Sequence, residues 1–146
     1  MGDTGKVLAV CLSPKRPDPK KNIGSGLLQT EWGLVGDSHA GTEKEVSLLA
    51  EEDVQNLCRE TGFSAEPGCF AENIRTEGID IHSMDCGSKL QVGSAKLVII
   101  QLGKDLSQSH TYSYKGYSLL PTKGVFCKVI ESGEVKIGDL VKRISD

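Results

Sequence analysis

The sequence predicts a mainly β domain with one or two short helices, built as a barrel or a sandwich. Short runs of apolar and β-branched residues recur along the chain, and glycines separate most of them. Only one segment has the periodicity of an amphipathic helix. A parallel α/β sheet would need many more helices, so these two observations favour a barrel or a sandwich. The length of 146 residues predicts a single domain, residues 1–146.

The predicted strands share a high content of apolar and β-branched residues. They cover residues 6–12, 24–30, 72–76, 89–92, 96–102, 125–131 and 139–144. The segment 24–30 is weakened by its glycines, and a further short apolar run covers 46–50. The long polar and aromatic stretch between Gly103 and Lys123 fits neither periodicity. Such long loops in a compact domain are usually functional or disordered.

The helix is predicted to begin at residue 51. Residues 51–53 are all acidic, and negative charge in the first turn suits the helix dipole. Val54, Leu57 and Cys58 are spaced to form one buried stripe. Gly62 is well placed to cap the C-terminal end.

Composition and charge exclude several classes of function. The net charge of -3 provides no electrostatic footprint for nucleic acid or for an anionic membrane. No segment has the apolar length of a membrane span or the core of a secretory signal. The five cysteines are widely spaced and contain no CxxC pair, so reduced thiols in the cytoplasm are expected.

Three segments carry a pattern that composition alone does not supply. They are GLVGDSHAG at 33–41, PGCFAENIRTEGID at 67–80 and GVFCKVIESGEVKIGD at 124–139. Two further segments, 20–24 and 46–52, agree with the same pattern. In this order the segments resemble the MOSC domain family, the domain found at the C-terminus of molybdenum cofactor sulfurases. The match is to the short, stand-alone type and covers nearly the whole chain.

The resemblance implies a barrel-like fold and a function linked to the molybdenum cofactor, molybdopterin. Members of the family handle sulfur for the cofactor, or hold it for the reduction of N-hydroxylated compounds. The partners implied are the cofactor itself or proteins of its biosynthesis. This sequence departs from the family at two places. The usual cysteine position holds Leu106, and the chain has 43–45 as Glu-Lys-Glu where close relatives tend to carry His-Arg-Gln.

Asp37 and His39 are candidate cofactor-binding residues on a glycine-flanked loop. A histidine near a carboxylate can bind an oxyanion or a metal, or transfer a proton. Alternatively, Asp37 caps the turn and His39 packs over the barrel mouth. Glu72 and Asn73 are adjacent polar residues, of which one is expected to be a structural hydrogen-bond partner; Asn73 is favoured as the third candidate for the pocket.

Lys104 and Lys123 bracket the long loop and are candidates for contact with the phosphate of a pterin cofactor, although both also suit a solvated surface. Within that loop, one histidine and three tyrosines could line a pocket or decorate a lid: His110, Tyr112, Tyr114 and Tyr117. Among the cysteines, Cys69 is the first candidate for a functional thiol because it lies inside a matching segment. The other four are expected to be inert.

Three functional hypotheses remain open from the sequence. The first is a MOSC-type module of molybdenum cofactor metabolism that binds the cofactor or handles sulfur. The second is a molybdenum-dependent reductase of N-hydroxylated compounds. The third is a cofactor-free interaction module that retains the fold. Leu106 argues against the second, because leucine offers neither a metal ligand nor a nucleophile.

Overall fold

The computed structural model describes residues 2–14, 20–103 and 119–144. Within these ranges the chain forms strands, two α-helices and one 3₁₀ turn at Ile81–Ser83. The strands are β1 Thr4–Leu12, β2 Lys21–Asn22, β3 Ser25–Gln29, β4 Gly33–Leu34, β5 Val46–Ala50, β6 Ile74–Glu77, β7 Lys89–Val92, β8 Ala95–Leu102, β9 Val125–Glu131, β10 Gly133–Lys136 and β11 Leu140–Ile144. The helices are α1 Glu51–Thr61 and α2 Leu120–Lys123.

Seven of the strands close into a barrel in the order β1-β11-β7-β8-β9-β5-β6 and back to β1. Strand β1 completes the ring because it pairs with β11 through Thr4–Lys6 and with β6 through residues 6–10. The pair β5–β6 is parallel, and the other six pairs of the ring are antiparallel. A parallel pair requires a crossover connection, which α1 supplies between β5 and β6.

Two hydrophobic clusters hold the fold together. The first fills the barrel with inward-facing side chains such as Val10, Leu48 and Leu97. The small sheet β10-β3-β4 packs against the barrel and adds Leu28 and Val135 to this core. In strands with one face buried in this core, such as β7 and β8, the alternation along the strand fixes its register.

The second cluster lies outside the barrel, beneath α1. It joins Val54 of the helix to Leu49 of β5 and Phe126 of β9, with Leu57 and Cys58 packed against it. The predicted stripe of α1 therefore faces the barrel wall. Gly62 ends the helix as predicted, in the left-handed region with φ of 78°, and its N–H donates to the Cys58 carbonyl.

The predicted fold class, mainly β and barrel-like with short helices, is confirmed. The run at 46–50 is a strand, β5, and all five of its residues are buried. The strand predicted at 72–76 begins two residues later, at Ile74, because Glu72 and Asn73 hold the preceding loop through their side chains. Among the described residues, no helix is long and apolar enough to cross a membrane.

Candidate functional site

Asp37 and Lys20 form a buried ion pair at the end of β1. Lys20 Nζ lies 2.7 Å from Asp37 Oδ1, and the two side chains are 1% and 0% exposed. The Asp37 carboxylate also accepts hydrogen bonds from the backbone N–H groups of Ser13 and His39, each at 3.1 Å. Burial alone would raise the pKa of Asp37, but the interactions with His39, Lys20 and Ser13 hold it well below its usual range.

His39 is the exposed member of this cluster. Its Nδ1 lies 3.1 Å from Lys20 Nζ and its side chain is 30% exposed. The loop that presents it begins at Gly36, whose φ of 94° favours glycine, and a turn follows in which the Ala40 N–H donates to the Asp37 carbonyl. The backbone carbonyl of Asp37 therefore stabilises the turn while its carboxylate forms the ion pair. His39 lies in this turn with its side chain partly exposed.

Asn73 is buried and has protein partners at both ends of its amide. Its Nδ2 donates to the Cys11 carbonyl at 3.1 Å, and its Oδ1 accepts from the backbone N–H of Ser47 at 3.0 Å. The Ser47 hydroxyl also donates to Oδ1 at 3.2 Å. These bonds connect β1 and β5 at the point where β6 begins. Asn73 thus supports the strand ends beside the Asp37 loop.

The loop before Asn73 is held by a buried pair, Glu72 and Arg75, of which sequence reasoning missed the arginine. The Glu72 carboxylate accepts from the N–H groups of Gly68 and Phe70, and from Arg75 Nε at 2.8 Å. Arg75 also reaches α1, where its Nη1 lies 2.6 Å from Glu51 Oε1. The available signal was the spacing of an acid and a base three residues apart within a matching segment. The pair makes Glu72 structural, as expected.

The Asp37 loop and the loop at 67–73 meet at Lys20. Its side chain contacts Asp37, while its backbone N–H donates to the Gly68 carbonyl at 3.0 Å. A Cβ on Gly68 would lie 2.0 Å from the Lys20 carbonyl oxygen, so only glycine allows this approach. The structure thus brings two of the three matching segments to the same end of β1.

The thiols near this site are poor nucleophiles. Burial, with a smaller contribution from the Glu72 carboxylate, raises the pKa of Cys69 to about 12. The same two causes raise the pKa of Cys11 to about 12. Burial also raises the pKa of Cys127, whereas Cys86 is exposed. All five cysteines are free thiols in the structure, and thiolate chemistry at neutral pH is disfavoured for Cys11, Cys69 and Cys127.

The Glu-Lys-Glu segment at 43–45 has mainly structural contacts. Lys44 Nζ lies 5.4 Å from the centre of the Phe126 ring, a cation–π distance. Glu45 is buried, and its Oε1 accepts from the backbone N–H of Val129 at 3.0 Å. Glu43 is exposed and borders an open groove of about 740 Å³, which Glu45 and Val129 also line.

The structure describes only some of the remaining residues that the sequence analysis named. Lys123 is exposed at the end of α2. Lys104, Leu106 and the aromatic candidates of the long loop lie outside the described residues. The Gly103 N–H donates to the Gly124 carbonyl at 2.8 Å, so β8 ends beside the start of β9. In the ranges that the structure covers, no cluster of His, Cys, Asp or Glu is suited to hold a metal ion.

The fold is thus a closed seven-stranded barrel with a polar loop cluster at the end of β1. The family model that matches the sequence is that of the MOSC domain, over residues 35–105. This match confirms the resemblance to the MOSC domain family noted from the motifs.

Solved structures share the fold across nearly the whole chain. The YuaD protein from Bacillus subtilis has a TM-score of 0.75 at 18% identity, covering 98% of this chain and 97% of its own. YiiM from Geobacillus stearothermophilus has a TM-score of 0.75 at 14% identity, covering 97% and 75%. YiiM from Escherichia coli has a TM-score of 0.66 at 21% identity, covering 98% and 70%. Among curated proteins no significant match is found.

Proposed function

We propose that this chain is a cytoplasmic MOSC-type module that binds the molybdenum cofactor through hydrogen bonds and charge, without a thiolate bond to the metal. The match to the MOSC family model supports the link to the cofactor. The observation that carries the proposal is the buried Lys20–Asp37 pair, which contacts the partly exposed His39 at the end of the barrel. A buried ion pair is costly, and such costs are common at functional sites.

The described residues fit the polar part of the cofactor better than its metal. His39 offers a ring nitrogen to an anionic group, and Lys123 offers an exposed ammonium near the start of β9. In this proposal Lys104 adds a second cation beside Gly103. Asp37 and Asn73 take part by holding the loops in place, because their polar atoms are already bonded within the protein.

Sulfur handling receives less support from these residues. Position 106 is leucine, and the raised pKa of Cys69 leaves its thiol protonated at neutral pH. When bound, the cofactor would supply redox or sulfur-accepting chemistry at its metal. The chain's own residues would bind and orient it. Delivery to a partner protein of cofactor biosynthesis is the role that such binding suits.

The test uses protein purified from a host that makes the cofactor. Metal analysis and the fluorescence of oxidised pterin should show both molybdenum and pterin with the wild type, and less of both with His39→Leu. His82→Leu is the matched control, because His82 pairs with Asp53 away from the site. Wild-type protein that retains neither molybdenum nor pterin would refute cofactor binding.

A second candidate function, a cofactor-free interaction module, is favoured by Leu106 alone. Leu106→Cys separates the two. If the pocket for the cofactor is present, the new thiol should increase molybdenum retention and alkylate faster than the native five. A Leu106→Cys protein that gains neither property, together with a wild type free of pterin, would support the interaction module.

A further inference from the structure

The environment of His39 determines which of its ring nitrogens carries the proton. Lys20 Nζ is an ammonium with donors only, because it is paired with the Asp37 carboxylate at 2.7 Å. The contact of 3.1 Å between Nζ and His39 Nδ1 is therefore a hydrogen bond only if Nδ1 is the acceptor. A neutral imidazole that accepts at Nδ1 carries its proton at Nε2.

The alternative tautomer lacks a suitable partner. A proton on Nδ1 would point toward the ammonium, and the nearest carboxylate oxygen, Asp37 Oδ2, lies 3.7 Å away. That distance is too long for a hydrogen bond. The hydrogen bond that Asp37 Oδ2 accepts from His39 comes from the backbone N–H, at 3.1 Å. Both observations favour the Nε2–H form.

The geometry points to His39 as a fixed, neutral N–H donor for a tetrahedral oxyanion, the phosphate-type group of the ligand, an inference that rests on the proposed function. The Nδ1 edge of the ring faces the almost fully buried Lys20 side chain, which leaves the opposite edge, with Nε2, as the edge that this proposal assigns to the ligand; the His39 side chain is 30% exposed. The buried ion pair fixes the orientation of this donor, and the ammonium behind the ring adds positive potential. Lys20 and Asp37 are positioning residues.

The direction of the hydrogen bond also distinguishes this site from a metal site. A metal ligand needs a lone pair on the outward nitrogen, whereas the inferred tautomer presents an N–H there. The charged oxygens of a tetrahedral oxyanion are acceptors, which match an N–H donor. The ligand chemistry could come from the phosphate of a pterin or from a free oxyanion such as molybdate. Either ligand would accept a hydrogen bond from the same N–H of His39, and a comparison of phosphate with molybdate binding distinguishes the two sources.

The first experiment measures the tautomer directly. Protein labelled with ¹⁵N-histidine is examined by long-range ¹H–¹⁵N NMR, which distinguishes a protonated from an unprotonated ring nitrogen. The expected pattern for His39 is an unprotonated Nδ1 and a protonated Nε2. Lys20→Gln supplies the comparison, because its neutral amide no longer requires an acceptor and the preference should weaken. A wild-type His39 protonated at Nδ1 would overturn the inference.

The second experiment measures the donor role with inorganic phosphate and with molybdate. His39→Leu should weaken binding about tenfold or more, since hydrogen bonds to charged groups are stronger than those between neutral groups. His39→Gln should retain binding within a few-fold, because its amide can accept from Lys20 and donate outward. His82→Leu should leave binding unchanged. Equal loss in the Leu and Gln variants, or none in either, would refute the donor role.

The two experiments also separate this inference from the proposed function. Phosphate binding that depends on His39, in a protein that retains no pterin from its host, would keep the donor role and refute cofactor binding. Pterin retention that is unaffected by His39→Leu would support cofactor binding and refute the donor role. Tighter binding of molybdate than of phosphate would assign the site to a free oxyanion.

Discussion

Replacing Lys20 with methionine is expected to destabilise the protein strongly. At the observed separation of 2.7 Å and an effective dielectric constant of about 20, the attraction between Lys20 and Asp37 is roughly 6 kcal/mol. The cost of desolvating both charges offsets much of it. Lys20→Met leaves the Asp37 carboxylate buried without its counter-charge, and breaking a buried pair in this way costs about 3–5 kcal/mol of the free energy of unfolding.

Urea unfolding checks this value against a matched surface pair. Lys6 and Glu77 are 3.6 Å apart with side chains 58% and 44% exposed, so Lys6→Met should cost less than about 1 kcal/mol. The double variant Lys20→Met with Asp37→Asn should be more stable than the sum of the two single changes predicts, since it removes both charges. A Lys20→Met protein as stable as Lys6→Met, or strict additivity in the double variant, would refute the reasoning.

The same pair predicts how stability depends on pH. The pKa of Asp37 is lowered in the folded state, so the folded state favours the ionised carboxylate. This contribution to stability is complete above the pKa of an unfolded aspartate, about 4, and is lost as the pH falls below it. The acid limb of a plot of unfolding free energy against pH should therefore be shallower for Asp37→Asn than for the wild type.

Two further predictions concern the thiols and one strained residue. Under native conditions at pH 8, the exposed Cys86 should be alkylated first. Cys11 and Cys69 should be alkylated slowly, because burial raises the pKa of both thiols to about 12. Intact mass measured against time checks the order, and alkylation of Cys69 before Cys86 would contradict it. Ala71 has φ of 67°, a conformation that glycine adopts without strain. Ala71→Gly should therefore lower the free energy of unfolding by less than about 0.5 kcal/mol. Ala95 in β8 is fully buried, so Ala95→Gly should lower it by more than about 1 kcal/mol. Chemical denaturation of both variants measures the difference, and equal costs would argue against the strain.

The fold was predictable wherever local pattern and burial agree. The stripe of α1 and its glycine cap follow from spacing alone, and both are present in the structure. Strand β5 was ambiguous because all of its residues are buried, and such a run shows no alternation. Strand β10, Gly133–Lys136, was missed because it begins at a glycine and includes only one buried apolar side chain.

The site was less predictable because its contacts join distant segments. Asp37 and His39 were recognisable by their motif, but Lys20 lies 17 residues before Asp37, after three prolines. Prolines and further basic residues before it are typical of an exposed loop, whereas its side chain is buried. Only the folded barrel places Ser13, Lys20 and Gly68 together at the end of β1.

The closure of the barrel between β1 and β11 has a consequence for folding during synthesis. Gly5 pairs with Val141, so the last strand pair of the ring joins residues at almost opposite ends of the sequence. Pairing at such separations carries a large loop-closure entropy and slows folding. Until β11 leaves the ribosome, β1 and β7 each present an unpaired edge, and unpaired edges invite aggregation. A nascent chain stalled before residue 140 should therefore be the species that chaperones bind most strongly.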